Sequence, residues 1–310
     1  MNRVVLLVLA VLAVLALSAP ANAGLIDAFN GTQPGQAPAA LAGIMANGIG
    51  LARSLFNIIV GASLVAAIVS AAIKTRSMEG WATGFGSIWM WLVPVILGFN
   101  ATVGLLPNIG AFFLGIGSVL TGRAPGAGYV TPYAILGEAS AVGLAMIRMA
   151  GAVAKSGILG PNIPFLPTPA AMFTGMAYGT ALLVTLCFAA LAVLLVKKIW
   201  ALFVFASVGC FKVALLGANI TQSQGWGFIF GIVDMGAELI VVIVMVTVVA
   251  NEANTWPAFI AHANLSNFLS TMLQVNGAAL FCAMITYGVA SEVGLAFLKN
   301  LALSFIPRGR

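Results

Sequence analysis

Lys212, Asp234 and Glu238 sit inside runs that are otherwise almost wholly apolar. A charge at the centre of a membrane helix costs about 2.5–3.5 kcal/mol on the insertion scale, so such residues face a partner or a water-filled cavity. Asp234 and Glu238 are four residues apart, which puts them on one helix face. Lys212 and Asp234 lie some five to seven residues on either side of the polar stretch Ala218–Trp226, on the order of 8–11 Å of helix. The two can therefore meet across a hairpin. Two readings stay open: a polar stripe along a path for ions or at a subunit interface, and a charge pair that stitches two helices together.

Other site chemistry finds little support in the residues. His262 is the single histidine, so no histidine cluster forms within one chain, and Cys187, Cys210 and Cys282 show no metal-ligand spacing. They read as small buried hydrophobes. There is no Gly-x-Ser-x-Gly elbow, no His-Glu-x-x-His and no phosphate-cradling glycine loop. The expectation is a chain that is not an enzyme and binds no cofactor or metal.

The elements that must position these charges follow from composition. Of 310 residues, 62% are hydrophobic and 6% charged, with a mean hydropathy of +1.11. A soluble domain carries about 25% charged residues. Long unbroken apolar runs exclude a membrane barrel, whose strands alternate over about ten residues. The fold class is thus all-α, a polytopic transmembrane helical bundle of five to six spans. The net charge of +6 is first a topology signal in such a protein.

Residues 1–23 read as a signal peptide: Arg3, an apolar run from Val4 to Leu17, and Ala21-Asn22-Ala23 before the cleavage point. Residues 24–54 read as a periplasmic segment, a loop with a short surface helix over part of 24–50. The first span, Leu55–Ile73, stops at Lys74 and Arg76, which places that end in the cytoplasm under the positive-inside rule. The second runs from Trp81 to Leu106 with a kink expected at Pro94. The expected location is the bacterial inner membrane, multi-pass, with the mature N-terminus periplasmic.

Residues 107–171 read as a periplasmic or membrane-edge region with re-entrant helices, including a helical stretch Ala134–Ala154; a pair of short spans is the alternative. Arg123, Arg148 and Lys155 there face the single carboxylate Glu138. Residues 172–250 divide into three spans. Met172–Gly217 is about 46 residues, roughly 69 Å as one helix. Length therefore predicts two spans meeting at a cytoplasmic turn, with Lys197 and Lys198 as topology anchors beside Trp200. Residues 251–310 hold a loop with an amphipathic helix, the apolar run Ala278–Leu298 and a basic tail. The 35 glycines, about 11% of the chain against a usual 7%, include Gly80-x-x-x-Gly84, Gly175-x-x-x-Gly179 and Gly227-x-x-x-Gly231, a spacing that permits close helix approach and self-association.

Several stretches together resemble a known family. LARSLFNIIVGASLVAAIVSAAI, a short basic loop, GFNATVGLLPNIGAFFLGIGSVLTG, VTPYAILGEASAVGLAMI and LAVLLVKKIWALFVFASVGCFKVALLGANITQSQGW are similar in order and spacing to the TrbL family. Thr131-Pro132 followed by Ile135-Leu136-Gly137, and the turn at Leu215–Gly217, carry part of that likeness. It covers residues 24–255 and departs at Ala218–Trp226, where members have an Arg-Trp-Thr stretch. The resemblance implies an inner-membrane channel or scaffold subunit of a conjugative type IV secretion system, present in several copies. Its implied partners are the secretion ATPases, the periplasmic core, pilus components, membrane lipids and a transported DNA or protein.

Overall fold

The computed structural model describes residues 39–74, 78–122, 130–155, 168–218, 221–264 and 266–305. The expected signal peptide, Arg76, Arg123, most of 157–169 and the basic tail lie outside them. Among the described residues there is no strand. The described residues form eight α-helices in order: α1 (Ala39–Lys74), α2 (Met78–Leu105), α3 (Ile109–Leu120), α4 (Pro132–Lys155), α5 (Pro169–Gly209), α6 (Gln222–Ala253), α7 (Trp256–Ala261) and α8 (Phe268–Phe305). A 3-10 turn at Leu106–Asn108 joins α2 to α3, and a 3-10 segment, Cys210–Gly217, extends α5. Six helical stretches are long and apolar enough to cross a membrane: Gly43–Ile73, Thr83–Leu120, Pro132–Lys155, Ala171–Gly217, Gln222–Ala261 and Phe268–Val289. The chain is an all-α polytopic helical bundle.

The helix starts are written in the local sequence. Thr131 and Thr168 each accept a backbone N–H in their side-chain oxygen, from Ala134 at 3.1 Å and Ala171 at 3.2 Å. Each is followed by a proline in the first helical position, where the missing N–H costs nothing. At the other end of α3, Gly122 takes φ +75° and its N–H returns to the Val119 carbonyl at 3.0 Å, a left-handed stop that glycine adopts without strain.

The chain divides into two compact units. The first takes its described residues from Leu114–Lys198 and Glu238–Phe297. Here α5 and α8 run parallel, since their contacts advance together. Phe173 meets Phe268 edge-on at 4.8 Å, Asn276 Nδ2 donates to Thr180 Oγ1 at 3.2 Å, and the Tyr287 hydroxyl donates to the Ala190 carbonyl at 3.1 Å. Trp256 of α7 is buried against Phe188 with ring centres 6.0 Å apart.

The second unit takes its described residues from Gly35–Phe113, Ile199–Ala237 and Leu298–Arg310. Its α1 and α2 are antiparallel: Phe56 stacks on Phe99 at 3.8 Å, and Gly84 lies beside Ala71 farther along α1. Phe205 and Phe228 stack at 5.3 Å between α5 and α6. Two single glycines seat aromatic rings: Phe228 packs onto Gly209, and Phe113 onto Gly236, leaving no room for a β-carbon at either.

Several sequence expectations change. Residues 172–250 hold two long helices rather than three spans, because α5 passes through Lys197 and Lys198 without a turn. AVLLVKKIWALFVF contains no Gly, Pro, Asn, Asp or Ser, so it lacks the residues that stabilise a tight turn. Lys198 is instead neutralised where it stands. In the region expected at the membrane edge, α3 continues the stretch begun by α2, and α4 is itself apolar and long enough to cross. Helix α1 begins at Ala39, not near Leu55; no proline interrupts residues 39–74. Pro94 stands inside α2 without ending it. Likewise α8 starts at Phe268, ten residues before the apolar run that announced it.

Candidate functional site

Two polar features stand out against the apolar helices. The first is an ion pair in the first unit: Lys198 Nζ meets Glu238 Oε2 at 2.5 Å. Both side chains are mostly covered, with 22% and 19% of their surface exposed. Lys198 lies eleven residues before the end of α5, and Glu238 lies sixteen residues into α6. Neither is near a helix end, so the pair cancels two charges that each would be costly in lipid.

Of the residues that the sequence nominated, Arg76 lies outside the described residues and the others have defined places. Glu238 pairs with Lys198, forty residues away in sequence. Asp234, one turn earlier on α6, is half-buried, while Lys212 is exposed on the 3-10 segment. Lys197 is exposed beside its paired neighbour. Lys74 is the last residue of α1. The sequence therefore named both members of the ion pair but assigned them to different roles, since the supposed turn put Lys198 at the membrane surface.

The second feature runs along α1. At 100° per residue, Met45, Ile49, Ala52 and Phe56 form its buried face. Directly opposite lie Gly43, Asn47, Gly50, Ser54, Asn57 and Gly61, spaced alternately four and three residues apart and all exposed. Ser54 Oγ donates to the Gly50 carbonyl at 3.2 Å. The carboxamides of Asn47 and Asn57 make no hydrogen bond with the described residues. A β-carbon added to Gly43, Gly50 or Gly61 would meet nothing within 4 Å. Beside this seam runs an apolar stripe of Ile44, Leu51, Ile58 and Val65, also exposed. The 4–3 spacing is visible in the sequence, though it lies mostly in the glycine-rich part that reads as a loop.

The three Gly-x-x-x-Gly motifs behave differently from one another. Gly231 takes the Phe205 ring, whose tip lies 2.8 Å from where a β-carbon would be, and Gly84 faces Ala71. Gly175, Gly179 and Gly227 face open space. A cavity of about 350 Å³ in the second unit is bordered by Ser63, Ser87, Trp91 and Ala218. Trp91 donates there to Gln222 Oε1 at 3.4 Å. Among the described residues, no group of three or more His, Cys, Asp or Glu side chains is placed to hold a metal ion.

Comparison with protein-family models, with curated proteins and with solved structures found no match to this chain.

Proposed function

We propose that this chain is a non-enzymatic membrane subunit that assembles in several copies to form a channel or scaffold. The observation that carries the reading is the seam on α1. Helices associate in lipid by close packing of small residues and by hydrogen bonds between them, not by hydrophobic exclusion from water. Gly43, Gly50, Ser54 and Gly61 supply the close approach, and Asn47 and Asn57 supply unspent donors and acceptors. Met45, Ile49, Ala52 and Phe56 pack within the chain while every seam residue stays exposed, so the seam side of α1 is left for lipid or other copies.

The sequence resemblance gives this assembly a setting: the inner-membrane channel or scaffold subunit of a type IV secretion (conjugation) system, acting with its ATPases, periplasmic core and pilus components in moving DNA or protein. Deletion of the gene tests this directly. Plasmid transfer or effector export is expected to stop while growth and solute uptake stay normal; normal transfer in the deletion strain contradicts the secretion setting.

A second reading, a stand-alone ion- or solute-coupled transporter, draws on the half-buried Lys198–Glu238 pair, since intramembrane charges mark ion paths in such proteins. Purified protein in liposomes separates the two. Flux that vanishes in a folded Glu238→Gln variant favours the transporter.

A further inference from the structure

Helices α4 and α7, both in the first unit, enclose a groove of about 450 Å³. That volume falls within the range of about 300–1,000 Å³ usual for small-ligand pockets. Its walls are apolar: Ala141, Leu144, Ala145 and Met149 from α4, Pro257 and Ile260 from α7. One charged side chain lines it, Arg148. Arg148 is exposed and makes no ion pair or hydrogen bond with the described residues.

The position of that arginine matters. Helix α4 has 24 residues, about 36 Å at 1.5 Å per residue, close to the thickness of one hydrocarbon core. Arg148 stands seven residues before Lys155, roughly 10 Å below the helix end, a depth from which a long basic side chain reaches the headgroup layer. Lys155 lies two turns on and returns to the same face. The carboxylate of this helix, Glu138, is ten residues toward the other end, about 15 Å away along the axis. The groove is therefore lined by apolar side chains apart from Arg148, with Lys155, outside its lining, on the same helix face.

We infer that the α4–α7 groove binds an anionic phospholipid, with an acyl chain along Leu144, Ala145 and Ile260 and the phosphate on Arg148. Charge complementarity selects this occupant. A zwitterionic lipid would bring a second cation to the Arg148–Lys155 end, and a wholly apolar molecule would leave Arg148 without a counter-charge. The inference stands apart from the proposed assembly, since it rests on neither α1 nor self-association.

The test uses the full chain, purified in mild detergent and incubated with phosphatidylglycerol or phosphatidylcholine, with retained lipid counted by native mass spectrometry. Phosphatidylglycerol is expected to be retained at least tenfold over phosphatidylcholine. Arg148→Gln should cut that retention at least fivefold, and Arg148→Lys should keep most of it. Ala152→Phe, a substitution at an exposed residue that also lines the groove, should block retention while circular dichroism shows unchanged helix content. Equal retention of the two lipids, or an Arg148→Gln variant that retains phosphatidylglycerol like the parent, overturns the inference. So does displacement of the lipid by millimolar inorganic phosphate, which would make Arg148 a simple anion contact.

Discussion

Helices α1 and α5 are both long and apolar, yet the chain treats them in opposite ways. The best membrane-spanning window of α1 is 6% buried, and that of α5 is 44% buried. On α5 two polar side chains find partners inside the chain, Lys198 with Glu238 and Thr180 with Asn276, while Lys197 stays exposed. On α1 the carboxamides of Asn47 and Asn57 point outward and meet nothing. Apolarity by itself does not separate these roles, because both helices have it. What separates them is where the polar groups are satisfied, and under the proposed assembly the outward-facing carboxamides of α1 would hydrogen-bond to another copy.

The comparison can be broken most sharply at the ion pair. Glu238→Gln or Lys198→Met alone is expected to destabilise the fold by about 2–3 kcal/mol. That is less than the 3–5 kcal/mol of a fully buried pair, because each side chain keeps about a fifth of its surface exposed. The double variant Lys198→Met with Glu238→Leu should recover most of the loss. Denaturation in mixed micelles reads both; single variants as stable as the parent would remove α5 from its organising role.

Glycine substitutions come next and should divide by helix. Gly236→Val drives a side chain into the Phe113 ring and is expected to cost about 1–3 kcal/mol by overpacking. Gly61→Leu meets open space within the chain and should change monomer stability by less than about 0.5 kcal/mol. The same Gly61→Leu should nonetheless weaken association between copies at least tenfold, measured by energy transfer between labelled chains in vesicles. Equal effects of both substitutions on stability would erase the distinction between the helices.

Smaller still is the expected effect of Asn57→Leu. A hydrogen bond between membrane helices averages about 0.6 kcal/mol, so association should fall about threefold with helix content unchanged. Last, Lys212→Gln removes an exposed charge and should shift stability by no more than about 0.5 kcal/mol. A large loss there would show that the sequence was right to give Lys212 a stitching role.

Much of the architecture was legible before any coordinates. Composition alone led to an all-α membrane bundle, and a count of five to six spans agrees with six apolar helices. That agreement conceals two compensating differences. One span was expected in excess, because the length of α5 was resolved into a hairpin at Lys197-Lys198. One is added, because α4 lies in the stretch 107–171 that the sequence reads as a membrane-edge region with re-entrant helices or a pair of short spans. Length is a weak guide where nothing in the local residues can make a turn, and charge is a weak guide where the side chain lies near a helix end. Thr131-Pro132 shows the opposite case: a cap and a first-turn proline fix a helix start from two residues. The ion pair was only half legible, since pairing across forty residues depends on how α5 and α6 pack. The seam on α1 was fully legible in its spacing and was missed because glycine richness suggested a loop.

Cysteine cross-linking along α1 tests the central claim most directly. In a background lacking Cys187, Cys210 and Cys282, single cysteines would be placed in turn at positions 43 to 61 and oxidised in native membranes. The account predicts cross-linked copies at 43, 47, 50, 54, 57 and 61, with little product at the buried positions 45, 49, 52 and 56. Cross-linking that is absent along the seam, or equal around the whole helix, would contradict it.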